Sequence, residues 1–122
     1  PGLTDHEIEP ILEAASKAGA RDAGYVLLRL PLEIKALFRE WLAEEFPGRA
    51  ERVISLLQSM HGGRDYTPEF GLRQRGRGPY ATQIAMRFRL AKNRLGLAGE
   101  RRDLRTDLFE KPGDRGKQLK LL

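Results

Sequence analysis

The chain has 122 residues, 40% of them hydrophobic and 32% charged, with a formal net charge of +5 and no cysteine. This length allows one compact domain, and the composition excludes disorder throughout. Without cysteine, disulfides, thiolate zinc sites and cysteine-held iron–sulfur clusters are excluded for these residues. The longest apolar stretch, residues 23–28, falls short of the roughly 20 residues that span a bilayer, and no basic-then-apolar signal segment is present. A cytoplasmic location is therefore expected.

The charge is divided along the chain. Residues 1–48 carry five Lys/Arg against nine Asp/Glu, whereas residues 49–122 carry seventeen against eight. A basic C-terminal part suits a polyanion such as nucleic acid, although many helical proteins are basic without binding one.

Taken in chain order, Thr4-Asp5-His6-Glu7 has the spacing of a capping box and predicts a helix start. Ile8, Ile11, Leu12, Ala15 and Ala18 follow helical spacing, and Gly19 supplies a left-handed stop. The run Ala23-Gly24-Tyr25-Val26-Leu27-Leu28-Arg29-Leu30 is apolar without alternation and ends at Pro31, the pattern of a strand buried on both faces of a parallel sheet. A buried helix segment in an all-helical domain fits the same run.

No downstream segment reads as a partner strand. A capped helix, a Gly turn and an apolar strand in that order form one unit of an α/β barrel, so the expected fold is mainly α with one short strand, left from a truncated barrel. The opening Pro1-Gly2, without an initiator Met, adds to the expectation that the chain is a piece of a larger protein. Such a strand, left without neighbours, would make the fragment self-associate.

Past Pro31 the period becomes helical. Ile34, Leu37, Phe38, Trp41 and Leu42 form one stripe with Trp41 as an expected core anchor, and Pro47-Gly48 breaks the helix. Val53, Ile54, Leu57 and Met60 form the inner face of a third helix that pairs with the second as a hairpin and ends at His61-Gly62-Gly63. A loop over residues 64–78 leads to a helix opened by Pro79, with Tyr80, Ile84, Phe88, Ala91 and Leu95 on its apolar side, Arg87 and Arg94 on one flank, and Gly96 at its end. The expected organisation is residues 1–31 as a barrel end, 32–96 as a helical region and 97–122 as a polar, poorly ordered tail with a docking end.

Three features bear on function. In Phe70-Gly71-Leu72-Arg73-Gln74-Arg75-Gly76-Arg77-Gly78-Pro79-Tyr80, three arginines alternate with small residues before a helix start. Arg73, Arg75 and Arg77 are therefore candidate phosphate ligands, the alternative being a solvated loop. The segment starting at Gly76 also satisfies a dinucleotide fingerprint, but no strand precedes it and Pro79 lacks an amide that such a loop uses, which excludes that reading. His6 and His61 stand far apart without a Cys or HxxE-type partner, so both are assigned structural roles, no metal site is expected, and no catalytic constellation is present. The end Gln118-Leu119-Lys120-Leu121-Leu122 is apolar on a polar tail. It resembles the peptide by which bacterial replication and repair proteins bind the polymerase sliding clamp, which makes Gln118, Leu119, Leu121 and Leu122 candidate partner contacts; packing on its own domain is the alternative.

Four segments carry a wider resemblance: Pro1-Gly2-Leu3-Thr4-Asp5-His6-Glu7, the 23–31 run, the 64–81 loop and the closing Gln-Leu-x-Leu. Together they resemble the C-terminal part of bacterial radical S-adenosylmethionine (radical SAM) proteins of the DNA-repair photolyase-like group, similar to spore photoproduct lyase. The resemblance implies the remnant of the last βα unit of a radical SAM (β/α) partial barrel, followed by a helical C-terminal region. It implies a parent enzyme using a 4Fe-4S cluster and S-adenosylmethionine on nucleic acid, with Pro1, Gly2, Leu28, Arg29 and Pro31 near the cofactor. The family's CxxxCxxC-type element is absent, so no cofactor is expected in this chain and the fragment itself is not catalytic. The alternatives are a small basic helical module that binds nucleic acid and an adaptor that docks the sliding clamp.

Overall fold

The computed structural model describes residues 1–99 and 105–109, and the fold is mainly helical. A 3-10 turn (Asp5–Glu7) leads into α1 (Ile8–Lys17); α2 (Ile34–Glu45), α3 (Ala50–Met60), the single turn α4 (Leu72–Arg75) and α5 (Pro79–Arg94) follow. Gly19 ends α1 at φ 91, and Gly96 ends α5 at φ 66. These are left-handed positions that glycine reaches without a Cβ penalty. Pro79 opens α5 in the first turn, where no amide hydrogen is needed.

Helix α1 packs along α5, α5 along α3, and α3 along α2, the last two forming the expected hairpin. Val53, Ile54, Leu57 and Met60 are all buried on α3, so its periodicity translates directly into packing. The central cluster joins Leu57 and Met60 of α3 to Ala81 and Ile84 of α5, with Leu27 and Leu30 completing it. A second cluster gathers Leu12, Ala91 and Leu97, so residues before position 31 share a core with α5.

The strand expected over residues 23–30 is not formed. Among the described residues there is no strand; the segment runs from 23 to 30 without turn or bend, and Asp22 makes only an isolated bridge to Ala98. Its one backbone–backbone hydrogen bond among the described residues sends the Leu27 amide to the Gln74 carbonyl at 2.9 Å. The apolar run is explained by side-chain burial instead: Leu27 and Leu30 enter the central cluster, Tyr25 packs on Phe88 at 4.7 Å, and Val26 is exposed. Each fully buried leucine contributes on the order of 1.5–3 kcal/mol, which holds the segment in place without a sheet.

Two further expectations are corrected. The capping box does not form, because Thr4 makes no side-chain cap; Asp5 supplies the local carboxylate, accepting from the Gly2 amide at 2.7 Å and from the Tyr80 hydroxyl. Trp41 is 45% exposed rather than a core anchor. It lies between Phe38, tilted against it, and Phe46, edge-on to it just past the end of α2, a helix of which only Leu42 is buried. Leu97 is fully buried.

Candidate functional site

The arginine-bearing turn is fixed to the core by glycine. Gly76 has φ 66, and a Cβ there would lie 2.8 Å from Leu27 Cδ1 and 3.3 Å from the Met60 carbonyl oxygen. Only glycine permits both the left-handed backbone and this approach. The Gly76 amide bonds to the Leu72 carbonyl at 2.7 Å, and the Arg77 amide bonds to the Met60 carbonyl at 2.9 Å. The chain from 72 to 77 is thereby held between the 23–30 segment and the end of α3.

Each of the three arginines rests on a different support. Arg73 lies over the Phe70 ring at 5.5 Å, and Arg75 lies over the Tyr25 ring at 4.8 Å. Arg77 places its guanidinium against Gly62, where a Cβ would come within 2.2 Å of Nη2. Stacking leaves the edge N–H donors of a guanidinium free for acceptors. None of the three forms an ion pair among the described residues. Gly78 and Pro79 follow at once, and α5 begins without a side-chain cap.

Several other cations behave differently. Arg87 forks onto Glu9 at 2.9 and 2.6 Å, Arg94 reaches Glu13 at 2.8 Å, and Lys92 pairs with Asp22. Arg39 forks onto Asp65 at 2.9 Å through both oxygens, and Gln58 donates to the same carboxylate at 2.8 Å. Three carboxylates of the first half, those of Glu9, Glu13 and Asp22, thus pair with cations of the second half. The Arg87 guanidinium holds Glu9 below the usual carboxylate range, and Arg39 does the same to Asp65 against the opposing effect of burial. Burial works against ionisation of Asp5, but the Tyr80 hydroxyl and Gly2 amide hold it below its ordinary value.

The residues that the resemblance places near S-adenosylmethionine are not brought to one point. Pro1 and Leu28 line one apolar cavity of about 370 Å³ together with Ile8, Ile11 and Val26. Gly2 lies against Leu56 and Val53 of α3. Arg29 turns to Tyr66, donating to its hydroxyl at 3.4 Å, while Pro31 accepts from the Ile34 amide at the head of α2. The residues present do not fit a 4Fe-4S cluster: the chain has no cysteine, and the described residues contain no group of three His, Cys, Asp or Glu able to hold a metal.

His6 is exposed beside Glu7, whereas His61 is 3% exposed with both ring nitrogens unpartnered among the described residues. Gln118, Leu119, Leu121 and Leu122 lie outside the described residues. No helix among the described residues is long and apolar enough to cross a membrane. Comparison with protein-family models, with curated proteins and with solved structures finds no match.

Sequence reasoning singled out the three arginines as candidates but not the groups they rest on. The alternation of Arg with Gly was the signal for the former. Phe70, Tyr25 and Gly62 are spread over the sequence, and no local pattern links them.

Proposed function

We propose that the chain is a helical module that binds the phosphodiester backbone of nucleic acid through Arg73, Arg75 and Arg77. The observation that carries this reading is that Arg75 and Arg77 are braced on Tyr25 and Gly62, Arg73 lies over the exposed Phe70 ring, and all three meet no carboxylate among the described residues, whereas Arg87, Arg94 and Lys92 do. Bracing lowers the entropy lost when an arginine engages a phosphate, and a free fork suits two of its oxygens. Recognition of this kind is independent of base sequence.

The test is a salt titration of binding to single- and double-stranded oligonucleotides. Replacing Arg73, Arg75 and Arg77 together with Ala should weaken binding and reduce the salt slope by about 2–3, close to one unit per lost phosphate contact. An unchanged slope would refute the assignment.

A second reading is that this module is the C-terminal portion of a radical SAM enzyme of the DNA-repair photolyase-like group, whose 4Fe-4S cluster and S-adenosylmethionine are bound elsewhere in the parent. What supports it is the resemblance of residues 1–7, 23–31 and 64–81 to that group, although no strand is formed over 23–30. The upstream coding sequence decides the matter, and three closely spaced cysteines are expected in it; their absence would end this reading.

A further inference from the structure

A second cavity, of about 400 Å³, opens where the 23–30 segment turns into α2. Its wall includes Leu30, Leu32, Lys35, Arg64, Asp65 and Tyr66. The turn is made by Leu32, the one non-glycine residue with positive φ among the described residues, at φ 48. Such a backbone costs on the order of 1–3 kcal/mol and persists only where the surroundings impose it. Here it carries the chain from buried Leu30 to Lys35, so that both line the same cavity.

The polar groups of this wall fall into two sets. Asp65 is committed, since both its oxygens accept from Arg39 and one accepts from Gln58 as well. Lys35 and Arg64 enter no ion pair among the described residues. Tyr66 accepts from Arg29 Nη2 and has no acceptor for its own proton among the described residues. A hydroxyl that already receives a cationic donor is a stronger donor itself. The wall therefore offers an ammonium, a guanidinium fork and a polarised hydroxyl, while its one carboxylate is neutralised.

We infer that this cavity, walled by Lys35, Arg64 and Tyr66, is a binding site for a phosphate monoester. Two positive charges match its dianion, and three kinds of donor match its three terminal oxygens. The volume falls in the range of small-ligand pockets. The inference is independent of the Arg73, Arg75 and Arg77 reading, which concerns different residues and backbone diesters.

The experiment titrates the full 122-residue chain with inorganic phosphate at constant ionic strength, by calorimetry and by amide chemical shifts. Saturable binding is expected, with shifts centred on residues 32–35 and 63–66. Lys35→Gln and Arg64→Gln should each weaken it by about tenfold or more, with circular dichroism confirming the fold. The Arg73, Arg75 and Arg77 triple Ala variant should retain it. Absence of saturable binding, or binding that survives both glutamine variants, would overturn the assignment, as would loss of binding in the triple variant alone.

A pair of oligonucleotides, one 5′-phosphorylated and one 5′-hydroxyl, then separates the sources. Stronger binding of the phosphorylated end that disappears in Lys35→Gln assigns the cavity to a nucleic acid terminus. Equal binding of both, with inorganic phosphate still bound, assigns it to a free small phosphate ester.

Discussion

The two basic surfaces of the molecule are built from the same side chains and differ in what those side chains meet. Along α5, Arg87, Arg94 and Lys92 each face a carboxylate from residues 9–22. On the turn before α5, Arg73, Arg75 and Arg77 meet rings and a glycine instead. The first surface uses charge to register one element against another; the second has no ion pair among the described residues. Counting charges does not separate these cases, and net charge is therefore a poor guide to which residues bind.

This contrast is most severely tested at Gly76, on which the second surface rests. Gly76→Ala places a Cβ at 2.8 Å from Leu27 Cδ1 on a backbone of φ 66. Strain and overpacking together should cost about 2–4 kcal/mol, read as a lowered urea midpoint, and oligonucleotide binding should fall with it. A midpoint within error of the parent would show that the turn is not seated as described.

An intermediate effect is expected at Asp5, the carboxylate that replaces the anticipated cap. Loss of its bonds to Gly2 and Tyr80 in Asp5→Asn should destabilise the protein by about 1–3 kcal/mol at neutral pH. Because the folded-state pKa is depressed, its contribution is present above the unfolded value of about 4 and disappears as pH falls through the folded value. The variant should thus differ from the parent at pH 7 and approach it in acid, and a gap that does not narrow as pH falls below about 4 would contradict this.

The smallest change is expected on the first surface. Arg87→Ala removes a partly exposed ion pair with Glu9 and should cost only about 0–1 kcal/mol. Its salt slope for oligonucleotides should match that of the parent. If it instead falls as far as in the triple variant, the division into paired and free arginines fails.

Much of the helical framework was legible in the sequence. The α3 face, the Pro79 start and the Gly19 and Gly96 stops follow from local periodicity and backbone preference, which act over a few residues. The 23–30 segment was not legible, since an apolar run without alternation has the same appearance in a parallel strand and in a chain pressed between helices. Its partner, the Gln74 carbonyl, lies in a helix of a single turn that no periodicity announces. Trp41 was misplaced for a related reason: a stripe reveals which face is apolar but not whether anything covers it, and on α2 the aromatic side chains cover one another. The wall of Lys35, Arg64 and Tyr66 escaped notice because its members come from separate segments, held together by the Arg39–Asp65 and Arg29–Tyr66 contacts rather than by sequence proximity.

The single backbone bond of the 23–30 segment also sets how this part of the chain exchanges with water. Buried Leu27 and Leu30 anchor it through side chains, yet the amides of Val26 and Leu28 have no backbone acceptor among the described residues. Protection from hydrogen exchange should therefore be confined to Leu27, between neighbours that exchange quickly. In a sheet, protection and burial rise together; here they separate, and the core is threaded by a segment with a single backbone–backbone hydrogen bond among the described residues.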